Sequence, residues 1–471
     1  MRYLSTRGQA PPVSFLEATL AGLAPDGGLY VPETWPLMPE GFCTHASLAH
    51  HSAVAMHLLL ALSGEELRPD DIASIANEAY IGFPQREDWR PHWPEAVAPL
   101  VHVGIGDFVQ ELFHGPSLSF KDVALQLIGP LYDFALAKQD KRLTVVCATS
   151  GDTGGAAVEA LKGRDRLDLF VLTPKGRVSD VQRRFMTTSG AANVFALELD
   201  GDFDACQAIV KALFADRDFA QRAALSGVNS INWARIAAQT AYFFTGASAL
   251  SGPGPVNMVV PTGNFGDAYS GWAAKQMGAH IGKIVLATNA NDILVRALDT
   301  GRYQRREGAH ATLSPAMDIE VASNFERILF EALDRDGDKV AALYQQFSET
   351  GGFDIPAEAL ERLRLDFAAA AVDEAETLRT MTWGMYAPCP HTAVALWART
   401  KLAEPLQGPV LTLATAHPAK FPDAVERARG VRPALPDRCA DLFEREEKFS
   451  SLAADAEAVK IFIRERSRAW S

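Results

Sequence analysis

Residues Leu143–Pro174 read LTVVCATSGDTGGAAVEALKGRDRLDLFVLTP. Two apolar runs, Leu143–Thr149 and Leu167–Pro174, flank a glycine-rich loop and a segment of helix length. Strands this apolar, each followed by a helix, belong to a parallel sheet covered on both faces. The alternation continues with VSDVQRRFMTTSG as helix, Asn193–Asp200 as strand and FDACQAIVKALFAD as helix. It resumes with a strand at Val256–Thr262, a helix to about Met277 and a strand at Lys283–Thr288. Pro409–Thr415 is a last strand, running into the loop AHPAKFPDAV. Residues 337–371 are charged and amphipathic and read as surface helices. Two parallel α/β sheets with a cleft between them are expected, with ligands beyond the carboxyl ends of the strands.

The residues before this region have a different texture. PPVSFLEATLAGL, SLAHHSAVAMHLLLALSG and DDIASIANEAY carry helical periodicity. Pro84–Pro99, with four prolines and Trp89 and Trp93, reads as a connector. Three domains are expected: 1–96, mainly helical; 97–235, a smaller α/β unit; and 236–471, a larger one. At 471 residues, 48% hydrophobic and 22% charged, the chain is globular and too long for one core. A net charge of −13 argues against nucleic acid as a partner, because such proteins carry a basic footprint. The five cysteines, Cys43, Cys147, Cys206, Cys389 and Cys439, are scattered without a CxxC pair. They read as reduced thiols in the cytoplasm, with no metal site. The N-terminus lacks the apolar core of a signal peptide, and no run of ~20 apolar residues predicts a membrane span.

Three segments carry chemistry. PTGNFGD (Pro261–Asp267) closes a strand and opens a helix, where outward N–H groups and the helix dipole favour an anion. Gly263 and Gly266 allow close approach of a phosphate, and a generic turn is the alternative. ATSGDTGGAA (Ala148–Ala157) is placed the same way. Ser150 and Thr153 offer hydroxyls and the neighbouring amides can bind an anion, while Asp152 can act as a helix cap. LFHGPSLSFKDVA (Leu112–Ala124) presents Lys121 at the start of a buried helix, beside Leu118, Phe120 and Val123. Desolvation there favours the neutral amine that a Schiff base requires, the alternative being a snorkelling lysine beside Asp122. A lysine followed by two anion loops suits a pyridoxal-phosphate enzyme. Thr415, at a strand end, offers a neutral hydroxyl to the pyridine nitrogen; His417 beside it is more often a turn residue.

These segments, with MRYLSTRG, LAPDGGLYVPE, SINWARIAAQ, ATNANDIL, SPAMDIEVASNFER and TAHPAKF, resemble the threonine synthase family over essentially the whole chain. The long form of bacteria and fungi fits best. The resemblance implies a fold-type II α/β enzyme that uses pyridoxal 5'-phosphate to convert O-phospho-L-homoserine and water into L-threonine and phosphate, the last step of threonine biosynthesis. It implies Lys121 as the lysine that holds the cofactor and moves protons at successive carbons. It assigns Gly263, Asn264 and Phe265 to the cofactor phosphate, with Asp267 nearby, and Thr415 to the pyridine nitrogen. Ser150, Asp152 and Thr153 would hold the substrate's anionic end, with Asn229, Asn232 and Arg235 as further contacts. The substrate brings a second phosphate, for which Lys175, Arg183, Arg184, Arg235 and Arg327 are available.

Two rivals remain open from sequence. A phospholyase on the same fold would release a keto acid and ammonia. A non-catalytic regulatory descendant would keep the cofactor fold without turnover, although drift should then erase the lysine first.

Overall fold

The structure, a computed structural model, describes all residues except 47–49, 81–82, 84–96, 251, 253, 383 and 385. The expected connector Pro84–Pro99 therefore lies outside the described residues but for its last three.

Near the N-terminus, Tyr3–Ser5 pairs antiparallel with Tyr30–Pro32. The helix Phe15–Ala21 begins at Ser14, whose hydroxyl accepts from Glu17 N while Glu17 accepts from Ser14 N. That reciprocal cap satisfies two orphan donors and fixes the helix start. Two further helices, His51–Ser63 and Pro69–Tyr80, complete the expected helical region.

Two mostly parallel sheets follow. One has the strand order Ser450–Ala453, Val194–Asp200, Leu167–Pro174, Leu143–Ala148, Leu225–Ser226, all parallel. Every residue of Leu167–Pro174 is buried, as a strand covered on both faces requires. The other has the order Phe367–Ala371, Ile281–Thr288, Val256–Pro261, Val410–Ala414, Asp107–Glu111, Leu100–Gly104. Its last pair is an antiparallel hairpin and the rest are parallel.

The sheets exchange chain. The hairpin Leu100–Glu111 joins the six-stranded sheet although it precedes the five-stranded one, and Ser450–Ala453 returns to the five-stranded sheet from the far end of the chain. Residues 337–371 also differ from the expectation of surface helices. They form the helices Gly337–Thr350 and Ala357–Asp366, but Phe367–Ala371 is an edge strand in register with Ile284–Thr288. FAAAA has no strand-like alternation, and pairing with a neighbouring strand overrides its weak preference.

Three strand ends point at one place. Ala148, Pro261 and Ala414 close their strands, and the loops after them line a common cavity of about 600 Å³. The buried helix Trp233–Ala249 contributes Arg235 and Gln239 to the same cavity.

Candidate active site

Lys121 is the first residue of the helix Lys121–Gln139 and lines the cavity, only 9% exposed. The loop before it is pinned. Leu118 holds a left-handed φ of 62°, a conformation that costs a branched residue about 1–3 kcal/mol. That strain is offset by bonds to the strand-end loop: Phe120 N donates to Thr415 O at 2.8 Å and His417 N to Leu118 O at 3.1 Å. Lys121 and Thr415 are thereby held on facing segments. Asp122, the partner a snorkelling lysine would use, turns back to accept from Ser117 N, Ser117 Oγ and Ser119 N. Burial pushes its carboxyl up to about 6 against the pull of Lys420.

The countercharge of Lys121 is Asp152, whose Oδ2 lies 3.6 Å from Lys121 Nζ. Its other oxygen takes Lys420 Nζ at 2.9 Å and Gln182 Nε2 at 3.0 Å. Burial alone would raise the Asp152 carboxyl; the ammonium groups of Lys420 and Lys121 outweigh it and hold it well below the usual carboxylate range. Lys121 moves the other way, lowered by desolvation more than Asp152 restores it. A buried amine with a depressed pKa is the form that attacks a carbonyl or accepts a proton. The glycines make this possible: Gly151 has φ 131°, and a Cβ there would lie 2.5 Å from Gln182 Cδ. Thr149 Oγ1 accepts from Gly151 N at 2.9 Å and Gly154 N at 3.0 Å, fixing the loop around them.

The opposite wall is the turn Thr262–Phe265 ahead of the helix Gly266–Gln276. Phe265 sits at φ 63°, held between Phe325 and Phe367 with ring centroids 5.7 and 5.3 Å away. A Cβ on Gly263 would lie 2.8 Å from Ala316 O, so only glycine lets the turn pack there. Asn324 clamps the turn from behind, its N and Nδ2 donating to Asn264 O at 2.9 and 3.1 Å. Arg327, fully buried, braces Asn324 through its Oδ1 and donates to Ile231 O and Tyr30 O. At the helix start, Asp267 Oδ1 accepts from Tyr242 Oη, and Oδ2 has no partner among the described residues. Burial raises Asp267 to about 7 despite Tyr242 and the nearby Arg235.

A strand-end turn that opens a helix, with glycines where a Cβ would collide, is the kind of site at which backbone amides and the helix dipole favour a phosphate group. Lys121 and Thr415 lie across the same cavity. The donors present fit pyridoxal phosphate.

Of the site residues proposed from sequence, Lys121, Ser150, Asp152, Thr153, Asn229, Arg235, Gly263, Asn264, Phe265, Asp267 and Thr415 line this cavity. Asn232 instead caps the helix Trp233–Ala249 and donates to Thr19 O, Tyr132 Oη and Gly227 O. Asp152, expected near the substrate's anionic end, faces two ammonium groups, and a charged carboxylate repels an anion. Of the five basic residues considered for the second phosphate, Arg235 alone lines the cavity. Arg327 is spent on the clamp, Arg183 pairs with Glu447, Arg184 donates to Leu442 O and Arg445 O, and Lys175 is an exposed partner of Asp200. Sequence reading missed Gln182, His391, Lys211 and Lys420. His391 lines the cavity, with burial pushing it down to about 4, and Lys211 lines its mouth from the helix Phe203–Ala215. Lys420 stood in the quoted stretch TAHPAKF; a lysine between alanine and phenylalanine gives no sign that it is fully buried.

Three family models match the chain: "Threonine synthase N terminus" over residues 2–80, "Pyridoxal-phosphate dependent enzyme" over 99–346, and "Threonine synthase, C-terminal" over 392–463. A threonine synthase of Pseudomonas aeruginosa is 43% identical, covering 98% of each chain. The crystal structure of a pyridoxal-phosphate-bound threonine synthase from Brucella melitensis is similar with a TM-score of 0.94 at 46% identity, covering 100% of both chains. That of threonine synthase from yeast has a TM-score of 0.90 at 37% identity, covering 99% of this chain and 98% of that one.

Proposed function

The chain belongs to the threonine synthase family of pyridoxal-phosphate-dependent lyases, and on that premise we propose that it converts O-phospho-L-homoserine and water into L-threonine and inorganic phosphate. The observation that carries this reading is one cavity with a desolvated lysine on one wall and a phosphate cradle on the other.

Bound there, pyridoxal phosphate supplies the electron sink that makes the substrate's Cα and Cβ protons acidic. The amides of Gly263, Asn264 and Phe265 would hold its phosphate, and Asp267, raised by burial, would face that phosphate without a full opposing charge. Thr415 Oγ1 would meet the ring nitrogen as a neutral partner. Lys121 would hold the cofactor covalently until substrate arrives. Freed as a neutral amine, its Nζ would take the proton from Cα and return protons later along the chain. Ser150, Thr153 and the neighbouring amides, with Asn229, would hold the substrate carboxylate. Asp152 would serve as fixed countercharge to Lys121. Arg235, together with Lys211 at the mouth, supplies the positive charge for the substrate's phosphate. The buried walls restrict water, so that water enters at Cβ only after phosphate leaves.

The cytoplasm is the proposed compartment. Five free thiols suit a reducing environment, and no helix among the described residues is long and apolar enough to cross a membrane.

The test is a product assay. Cofactor-loaded protein fed O-phospho-L-homoserine should release phosphate and L-threonine in equal amounts. Release of phosphate with 2-oxobutyrate and ammonia would replace the synthase reading by the phospholyase one.

A further inference from the structure

Two lysines share one carboxylate at the site, and they are not equivalent. Lys420 is fully buried; its Nζ donates to Asp152 Oδ1 at 2.9 Å and Ser117 O at 2.7 Å, and lies 5.6 Å from the Phe185 ring centroid. Lys121 reaches only the far oxygen at 3.6 Å, lines the cavity, and has the Phe120 ring at 4.7 Å. Two buried ammonium groups on one carboxylate, with Arg235 adding positive charge beside Lys121 and the buried Asp122 raised by desolvation, leave an excess of positive charge, which is costly away from water. The cost is relieved by losing one proton, and Lys121, at the longer distance and lining the cavity, is the amine placed to lose it.

We propose that Lys420 is a positioning residue that keeps Lys121 a free amine: it claims the Asp152 carboxylate, so that no net negative charge remains to hold a proton on Lys121. The inference rests on the reading of Lys121 as the cofactor lysine. The other groups around the pair work in known directions. Arg235, from the helix Trp233–Ala249, also disfavours a proton on Lys121, while Asp267, from the helix Gly266–Gln276, favours one. His391, from the helix Pro390–Ala398, faces Asp152 and both lysines, and the Cys147 thiol lies near Lys121. Asp122 and His417 face Lys420. None of these is as near Asp152 Oδ1 as the Lys420 ammonium. Lys420 does not line the cavity, so its effect on the reaction passes through Asp152.

The experiment follows turnover of O-phospho-L-homoserine, and the absorbance band of the lysine-bound cofactor, against pH. It compares the unmodified holoenzyme with Lys420→Met, Lys420→Gln and Lys420→Arg, using Lys121→Ala as the spectral blank. Losing the charge should move the acidic limb of kcat and the midpoint of the band upward by about one pH unit or more, since an unbalanced opposite charge this close raises an amine's pKa by that order. Lys420→Arg should leave both in place. The double variant Asp152→Asn/Lys420→Met removes both charges and should also keep the midpoint near its original pH. Folded Met or Gln variants with unmoved midpoints would overturn the proposal, because a merely structural lysine would lower stability alone. If neither folds, an upward shift in the double variant overturns it instead. An unmodified protein with neither band nor turnover would sink the functional reading beneath it, a result distinct from either.

Discussion

The two walls of the cavity each bury an aspartate, and they shift its titration in opposite directions. Asp152 on the five-stranded side is 5% exposed and Asp267 on the six-stranded side 8%, so burial does not separate them. Partners do. Asp152 has the Lys420 ammonium at 2.9 Å, the Lys121 nitrogen at 3.6 Å and an amide donor, and stays charged well below the carboxylate range. Asp267 has a phenol on one oxygen and no partner among the described residues on the other, and is raised to about 7. Desolvation is the largest influence on both, and only direct cationic contact overcomes it. The contrast suits the chemistry, since a fixed negative charge belongs beside the reactive amine and is unwelcome beside a phosphate.

The largest expected effect comes from removing what the first wall serves. Lys121→Ala should abolish the cofactor's absorbance band and cut turnover by at least about 10³-fold, the order lost with a positioned proton carrier. Next is the countercharge itself. Asp152→Ala strands the buried Lys420 ammonium and should cost about 3–5 kcal/mol in urea unfolding, because breaking a buried pair leaves its partner uncompensated.

Asp267→Asn probes the other wall through pH. A raised folded pKa gives stability that is complete below the unfolded value and is lost as pH rises through the folded one. In the cofactor-free protein this window runs from 3.8 to about 7. The Asn variant should lose that slope, with a difference on the order of 4 kcal/mol between unfolding at acidic and slightly alkaline pH. If the slope survives, Asp267 is charged and the contrast is broken. Gly263→Ala, whose Cβ must push against Ala316 O, should weaken cofactor binding about tenfold, or roughly 1.4 kcal/mol, by equilibrium dialysis. Arg183→Ala should do least. Its partner is Glu447, away from the cavity, so stability should fall by under about 1 kcal/mol with KM unchanged.

The chemistry-bearing loops were legible because each announces itself locally: glycines after an apolar strand, a lysine opening an apolar helix. The pairings that tune them were not. Tyr242 and Asp267 are 25 residues apart, and Lys420 and Ser117 are 303 apart. No periodicity links them, because they meet only when strands and helices distant in sequence pack together. The strand Phe367–Ala371 escaped for the same reason, since its identity comes from Ile284–Thr288 beside it. The place of Asp152 at the substrate's anionic end is what the family resemblance implies; its distances to Lys121 and Lys420 are legible only in the fold.

Two lysines flank Asp152, and the account assigns the cofactor to Lys121 while Lys420 stays an ammonium. Borohydride reduction of the cofactor-loaded protein, followed by digestion and mass spectrometry, tests this most directly. The account predicts the reduced cofactor on the peptide carrying Lys121; finding it on Lys420 would contradict the assignment.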